Sequence, residues 1–310
     1  MSGSNDWTGI IKEVGRGAHG ARDLPEAEAE RLFGAMLDGR VPDLELGAIW
    51  MAYRIKGESL GELTGFCRAL MARLPGLAAP AGPMPVILPS YNGARRLPNM
   101  TPLLALMLAR VGVPVLVHGI ANAYGRVTTA AIFEALGISP CADSYAASSK
   151  LNSDRLAYLP LEVLAPGLSH LMNGRARIGV RSSAHTVAKL LEPFGGKALR
   201  VVPVTHPDYV RRMGEFLLAA GTPAVLLRGS EGEPYASPKR MPALQGFSKG
   251  EARELVPQGE SELPTEGMPE AIDAQSTANW TREVLAGARP VPVPLQQQVK
   301  CLSAAARAPS

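Results

Sequence analysis

Three ionisable side chains recur at four-residue spacing in the middle of the chain. Arg181, His185 and Lys189 stand at positions i, i+4 and i+8, which lie on one face of an α-helix. Residues 176–191 are therefore predicted to form one helix that carries a cationic stripe. Such a stripe can follow the phosphates of a nucleic acid strand and bind it by releasing condensed counterions. The alternative interpretation is an ordinary solvated helix face.

Four more arginines are candidate phosphate contacts. Arg175 and Arg177 open the same basic segment, while Arg95 and Arg96 adjoin each other in a predicted loop. Arg175 and Arg177 can equally pair with acidic neighbours, and many such surface pairs contribute no measurable stability. The loop tyrosines Tyr91 and Tyr124 could stack on bases, although a loop tyrosine more often covers the core.

The basic residues are unevenly distributed along a chain whose net charge is only +4. Acidic residues predominate in residues 251–273, whereas residues 145–212 contain only four acidic side chains and are mainly basic. The basic side chains of residues 145–212 are Lys150, Arg155, Arg175, Arg177, Arg181, Lys189, Lys197, Arg200, Arg211 and Arg212. This asymmetry indicates an anionic partner.

Catalytic and metal-binding patterns are weaker. His118 and Gly119 end a predicted strand, where a histidine invites a catalytic interpretation, but a structural role for it is favoured. Glu231 and Glu233 could bind magnesium through their oxygens, although two carboxylates on a loop are commonly just solvated. The three cysteines are far apart and predict neither zinc nor a disulfide.

The first third of the chain is predicted to consist of short amphipathic helices. Apolar residues recur at helical spacing in three blocks, and Ser59 with Glu62 forms the capping box that begins the third. From residue 85 onward, short β-branched runs alternate with helical stretches. That order predicts an α/β domain with a mostly parallel central sheet and ligands at the carboxyl ends of its strands.

These patterns divide the chain into three parts. Residues 1–78 are predicted to form a small helical domain, joined by helices around 165–195, and residues 79–290 a large α/β domain. Residues 291–310 show no periodicity and are predicted to be a flexible tail. No apolar run is long enough to span a membrane, and charged residues interrupt the first 30 positions. A soluble, cytoplasmic protein is expected.

Two sequence blocks resemble the anthranilate phosphoribosyltransferase family. The AYRIKGE segment at residues 52–58 resembles the family's MALRMKGET block, and residues 118–137, HGIANAYGRVTTAAIFEALG, resemble the stretch from KHGNR to VLEALG. The resemblance covers roughly residues 10–250. It implies a nucleoside phosphorylase/phosphoribosyltransferase-like fold, with a small helical and a large α/β domain, in a homodimer built through the small domains.

The resemblance fails at the substrate-binding motifs. The family's pyrophosphate loop GTGGD corresponds here to PSYNGARR at residues 89–96, which retains only Gly93. The hydroxyl-bearing NIST motif reads NMTP at residues 99–102, so Asn99 and Thr101 remain. Several charge-assisted phosphate contacts are lost, each of about 1.5–3 kcal/mol, which argues against phosphoribosyl transfer to anthranilate.

The remaining family motifs are also altered. KHGN becomes VHGI at residues 117–120, which keeps His118 and Gly119 but loses the lysine. The magnesium-binding DGLDE stretch is matched only weakly by Glu231 and Glu233. Arg175 corresponds to the family's anthranilate-binding arginine. Gly93, Asn99, Thr101, His118 and Gly119 are therefore interpreted as a vestigial phosphoribosyl pyrophosphate site.

The SYNGARR, VHG and IGVRSSAHT motifs together resemble the divergent YbiB-type branch of this family. That resemblance implies a homodimer with a basic groove that binds DNA or RNA with little sequence preference, without a cofactor. Motifs for sequence-specific readout are not recognisable in the sequence. The alternative is a glycosyl or phosphoribosyl transferase that uses magnesium and an unknown acceptor, and a third hypothesis is a scaffold that binds neither ligand.

Overall fold

The computed structural model describes residues 6–123, 125–260, 267–269 and 271–308, without the side chains of Ala18 and Glu260. The chain folds into two compact units. The small unit combines the described residues up to Leu74 with Ala165–Leu191, and the large unit combines Pro75–Leu164 with the described residues from Glu192 onward. The prediction placed these boundaries at residues 78 and 195.

The small unit is helical, as its apolar periodicity predicts. Leu32, Phe33 and Phe66 are buried between its longest helices, and the rings of Phe33 and Phe66 stack with centroids 4.7 Å apart. Its helices are α1 (Trp7–Val14), α2 (Gly17–Gly20), α3 (Glu26–Leu37), α4 (Asp43–Lys56) and α5 (Leu60–Met71).

The predicted capping box is confirmed at the start of α5. Ser59 Oγ accepts a hydrogen bond from the Glu62 N–H, and the Glu62 carboxylate accepts one from the Ser59 N–H at 2.8 Å. Glu62 is fully buried and also accepts hydrogen bonds from Leu24 N–H, Tyr53 Oη and Lys56 Nζ. One carboxylate therefore joins the N-terminus of α5, the end of α4 and the segment before α3.

The large unit is built on a seven-stranded mixed sheet. Its strands are β1 (Val86–Ser90), β2 (Val115–Gly119), β3 (Leu156–Pro160), β4 (Leu199–Val204), β5 (Ala224–Arg228), β7 (Leu244–Ser248) and β8 (Glu251–Val256). They lie in the order β3-β2-β1-β4-β5-β7-β8, in which the first five are parallel and the last two are antiparallel neighbours. Val86, Leu116 and Val201 are fully buried, as expected of parallel strands covered on both faces.

Helices flank this sheet and complete the layered α/β architecture, which confirms the predicted fold class. They are α6 (Thr101–Arg110), α7 (Thr129–Leu136), α8 (Ser144–Ser153), α9 (Leu161–Leu164), α13 (Pro207–Ala220), α14 (Ala274–Leu285) and α15 (Val293–Arg307). The short strands β6 (Arg240–Met241) and β9 (Gly259–Glu260) pair separately. The small unit's second segment holds α10 (Pro166–Asn173), α11 (Arg175–Ile178) and α12 (Ser183–Val187).

The predicted flexible tail is wrong for residues 293–307, which form α15. Leu295 and Leu302 are fully buried in the same core cluster as Val86 and Leu104. The buried positions Leu295, Val299, Leu302 and Ala306 follow helical spacing, but intervening glutamine and alanine residues obscure that signal in the sequence.

None of the helices in the described part of the chain is long and apolar enough to cross a membrane.

Candidate functional site

The loop after β1 occupies the carboxyl-end edge of the sheet, where parallel α/β folds bind ligands. Gly93 has φ +64°, and a Cβ atom there would lie 3.0 Å from Val127 O. Gly119, at the end of β2, packs so closely that a Cβ atom would lie 2.0 Å from Ser90 O. Both retained glycines therefore allow the backbone segments at this edge to pack closely, because neither carries a Cβ atom.

The carboxylate of Glu233 lies inside this loop and is fully buried. Its Oε1 atom accepts hydrogen bonds from Asn92 N–H at 2.8 Å and Gly93 N–H at 2.9 Å. Its Oε2 atom accepts hydrogen bonds from the hydroxyls of Ser90 and Thr101. The chain's own carboxylate thus occupies the donors of the predicted vestigial site.

Asn99 and Thr101 belong to the same buried network. Asn99 Nδ2 donates to Thr129 Oγ1 at 3.1 Å, and Asn99 Oδ1 accepts from Thr101 N–H at 3.1 Å. Ser90 Oγ lies 2.8 Å from Thr129 Oγ1. The structure therefore brings Gly93, Asn99 and Thr101 together, as the sequence interpretation expected, and adds Ser90 and Thr129.

Glu231 holds the next part of the loop. Its Oε1 atom accepts hydrogen bonds from the backbone N–H groups of Arg95, Arg96 and Leu97 at 3.2, 2.9 and 3.3 Å. The guanidinium of Arg126 lies 3.6 Å from Oε2. Arg95 and Arg96 are exposed, so Glu231 fixes their backbone at the surface.

The assignment of Glu231 and Glu233 as magnesium ligands does not fit this geometry. Both carboxylates face N–H or O–H donors, whose hydrogens point at the oxygens that a cation would need. Across the described residues there is no group of three or more His, Cys, Asp or Glu side chains that could hold a metal ion. The loop donors that a bound pyrophosphate would need are engaged in the same way, so phosphoribosyl pyrophosphate does not fit either.

His118 is fully buried and is tied to the Tyr91 hydroxyl through Nδ1. Burial lowers the pKa of this histidine to about 3, so the ring is neutral at physiological pH. Burial also raises the pKa of Tyr91 well above its ordinary value. Tyr91 is 5% exposed, which matches the interpretation that a loop tyrosine covers the core, and Tyr124 lies outside the described residues.

The single helix predicted over residues 176–191 is wrong. Helix α11 ends at Ile178, and the glycine that caps it, Gly179, adopts a left-handed conformation at φ +80°. Helix α12 begins after the extended Ser182. A 3₁₀ turn, Ala188–Leu190, follows α12. Helical periodicity therefore does not place Arg181, His185 and Lys189 on one face, because the left-handed glycine ends the first of two separate short helices.

The charges of three basic side chains of this segment nevertheless act on His185. Burial, together with the charges of Arg181, Arg175 and Lys189, lowers the pKa of His185 to about 4. Nδ1 of His185 accepts a hydrogen bond from the Ser182 N–H at 3.3 Å. His185 is therefore a neutral capping residue of α12 and adds no positive charge to this segment.

Arg177 lies beside Asp43 at the start of α4, with Nη1 2.7 Å from Oδ2. This hydrogen bond lowers the pKa of Asp43. The pair is about three-quarters exposed, so it matches the alternative interpretation of a solvated surface pair. Arg175, Arg181 and Lys189 are half-buried, and we call these three cations the basic cluster of the small unit.

Sequence reasoning missed the elements that place Glu233. Tyr235 Oη donates to Pro98 O at 3.1 Å, and Gln298 of α15 bonds the backbone on both sides of Tyr235. These contacts join positions more than 60 residues apart in the chain, so no local motif indicates them.

The small unit and the whole chain both match known proteins. The helical bundle domain of a glycosyl transferase family matches residues 8–74. The Escherichia coli (strain K12) protein YbiB is 43% identical over 298 residues, covering 96% of this chain and 93% of YbiB. Anthranilate phosphoribosyltransferase from Methylocella silvestris is 29% identical over 220 residues, covering 71% of this chain and 62% of that enzyme.

Solved structures show the same fold. Anthranilate phosphoribosyltransferase from Thermus thermophilus superposes with a TM-score of 0.77 at 23% identity, covering 96% of this chain and 88% of that one. The Saccharomyces cerevisiae enzyme in complex with PRPP and Mg gives 0.75 at 13% identity with the same coverage. The fold, the helical bundle and the similarity to YbiB agree, and the chain therefore belongs to the family of anthranilate phosphoribosyltransferase-like proteins that includes YbiB.

Proposed function

We propose that this protein is a cytoplasmic, homodimeric binder of DNA or RNA with little sequence preference, which needs no cofactor. The observation that carries the proposal is the basic cluster of the small unit, in which the partly exposed Arg175, Arg181 and Lys189 all belong to the segment Ala165–Leu191. Three cations held within one short segment suit successive phosphates, and their neutralisation releases counterions.

The exposed Arg95 and Arg96 supply a second basic surface, on the large unit. Because their backbone N–H groups are fixed by Glu231, only the side chains need to be ordered when they contact a phosphate. A pre-positioned backbone lowers the entropic cost of such a contact. Backbone phosphates are the same in every sequence, so contacts of this kind carry no sequence information.

A homodimer is supported by the surface of α4. Leu44, Met51 and Ile55 are 83%, 39% and 58% exposed, and their spacing of i, i+7 and i+11 places them on one face. The same helix buries Ile49, Trp50 and Tyr53 on its other side. A second copy of the chain is the occupant we assign to this apolar face, because burying it in a symmetric pair removes an exposed apolar patch from water.

The transferase alternative has less support, because the loop donors are engaged by Glu233 and Glu231. Addition of phosphoribosyl pyrophosphate with magnesium to a transferase would raise its melting temperature by mass action. For this protein we expect phosphoribosyl pyrophosphate with magnesium to raise the melting temperature no more than pyrophosphate alone does.

The test is a titration of a labelled single-stranded oligonucleotide, followed by fluorescence anisotropy at several salt concentrations. Each phosphate contact contributes about −0.7 to the slope of log K against log salt. An Arg181→Glu/Lys189→Glu variant should bind about 100-fold more weakly and show a shallower slope, because two contacts are replaced by repulsion.

The matched control is Arg212→Glu/Lys300→Glu, which reverses one arginine and one lysine at exposed positions of the large unit. It changes the net charge by the same amount, so it should retain most of the affinity. Equal losses in both variants would assign binding to net charge alone, and no binding by the wild type at low salt would rule out the proposal.

A further inference from the structure

Five backbone N–H groups of one short loop point at two carboxylates. Those of Asn92 and Gly93 bond Oε1 of Glu233. Those of Arg95, Arg96 and Leu97 bond Oε1 of Glu231, at 2.9 to 3.3 Å. Successive N–H groups that converge on one point form a concave anion-binding site, or nest. The loop therefore contains two adjacent nests, and each one holds an oxygen of an acidic side chain.

The nest around Glu233 is completed by hydroxyl donors. Ser90 and Thr101 donate to Oε2 while the two backbone N–H groups donate to Oε1. Four donors arranged around a fully buried carboxylate provide the hydrogen bonds that such a charge requires. The same donor set would suit any small oxyanion.

The turn that delivers the two carboxylates has an unusual backbone. Glu231 adopts φ +53°, a left-handed conformation that is costly for a residue with a Cβ atom. Gly232 has φ +89°, and a Cβ atom there would lie 2.4 Å from Asn92 Nδ2. The turn is fixed to the loop by Asn92 Nδ2, which donates to Gly232 O at 2.8 Å. Its geometry thus directs two acidic side chains, two residues apart, into neighbouring nests.

We propose that residues 90–97 form an oxyanion-binding site which the chain fills permanently with its own Glu231 and Glu233. Each carboxylate takes the place of one small oxyanion of the phosphate class. In the wild type these side chains exclude such anions from this end of the sheet. Removal of one side chain, without a replacement that fills the nest, opens the site to inorganic phosphate. This inference does not depend on nucleic-acid binding.

The test compares two substitutions at the more accessible carboxylate. Glu231→Gly removes the side chain and tolerates the left-handed backbone, so its nest is empty. Glu231→Gln keeps the size and a carbonyl oxygen, so its nest stays filled and neutral. The melting temperature of each protein is measured against the concentration of inorganic phosphate, with sodium chloride holding the ionic strength constant. Isothermal titration with phosphate then measures the stoichiometry.

We expect phosphate to raise the melting temperature of Glu231→Gly by about 2–4 °C more than that of the wild type or Glu231→Gln. Calorimetry should show one additional site per chain in the glycine variant. Phosphate also stabilises proteins by exclusion from their surface and can bind the basic cluster, but these effects are common to all three proteins. Equal responses of the three proteins would overturn the proposal.

A second variant tests the deeper nest. Glu233→Ala leaves two N–H groups and two hydroxyls without their acceptor, and we expect acetate, which resembles the missing group, to restore part of its thermal stability. The control is Glu233→Gln, which should respond to acetate no more than the wild type does. If Glu233→Ala folds only in the presence of acetate or phosphate, the proposal is supported. The proposal fails for this nest if acetate and phosphate raise the thermal stability of Glu233→Ala no more than that of Glu233→Gln. It also fails if Glu233→Ala does not fold with either anion.

Discussion

The side-chain oxygen of Gln298 accepts a hydrogen bond from the backbone N–H of Ala236 at 2.7 Å. The side-chain nitrogen of Gln298 donates to Pro234 O, also at 2.7 Å. Gln298 is fully buried in α15, and the two bonds bracket Tyr235 immediately after Glu233. A helix predicted to be a loose tail thus holds the turn that supplies the buried carboxylate.

Replacement of Gln298 by leucine should destabilise the large unit by about 2–4 kcal/mol, because it leaves a buried N–H and a buried carbonyl unsatisfied. Urea unfolding followed by circular dichroism measures this change. The control is Gln296→Leu, at an exposed position of the same helix, which should change stability by less than about 0.5 kcal/mol. Equal effects of the two substitutions would contradict the role assigned to Gln298.

Glu62→Gln should destabilise the small unit by about 2–4 kcal/mol. The substitution removes the buried negative charge opposite Lys56, whose side chain is 7% exposed, and replaces an acceptor facing Ser59 N–H with an amide that can donate. Hydrogen exchange of α5 measures the loss of protection. The partly exposed Glu45→Gln serves as the control, and unchanged exchange in Glu62→Gln would contradict the prediction.

Stability of the large unit should fall on acidification because of His118. Burial lowers its pKa from 6.5 to about 3 in the folded protein, so below pH 6.5 the unfolded chain takes up a proton that the folded chain does not. The free energy of unfolding therefore decreases as pH falls, by about 1.4 kcal/mol per unit between these two pKa values. The lost free energy of unfolding is regained as the pH rises back to about 6.5.

The measurement is urea unfolding at pH 7.5 and pH 5.5 in a Trp7→Phe/Trp50→Phe background, which leaves Trp280 of the large unit as the only tryptophan. His118→Gln keeps an acceptor for the Tyr91 hydroxyl and should lose about 1.4 kcal/mol less on acidification than the wild type. The exposed His206→Gln is the control. The same pH dependence in all three proteins would exclude His118 as the cause.

Met51→Glu/Ile55→Glu should convert the proposed dimer into a monomer, because four like charges would face one another across a symmetric interface. Analytical ultracentrifugation measures the change. The control is Leu218→Glu/Val293→Glu, which introduces the same charges at apolar positions that are each 42% exposed in the large unit. A wild-type monomer, or a dimer that persists in the Met51/Ile55 variant, would contradict the assignment of this face.

Local signals in the sequence were sufficient for three helices of the small unit, α3, α4 and α5, and for four of the parallel strands, β1, β2, β4 and β5. The Ser59–Glu62 capping box requires only residues three apart, and buried parallel strands such as Val86–Ser90 begin with a continuous run of apolar residues. The strand Leu156–Pro160 was missed because five apolar residues between helical stretches do not distinguish a strand from a helix.

The errors have physical causes at particular residues. The spacing of Arg181, His185 and Lys189 fits a helix, but the left-handed Gly179 and the extended Ser182 separate two short helices in this segment. The role of Glu233 has no local signal, because its donors at Asn92 and Gly93 are 141 and 140 residues away. A carboxylate on a loop looks solvated until the fold supplies its partners.

The division of the small unit into two segments has a consequence for synthesis on the ribosome. Residues 75–164, which carry β1, β2 and β3, emerge before the small unit's second segment, Ala165–Leu191, and before β4. Until β4 emerges, the edge of β1 that later pairs with Leu199 and Arg200 lacks its partner strand. A nascent chain therefore passes through a stage with an unprotected apolar strand edge, where chaperones or wrong pairing partners can bind.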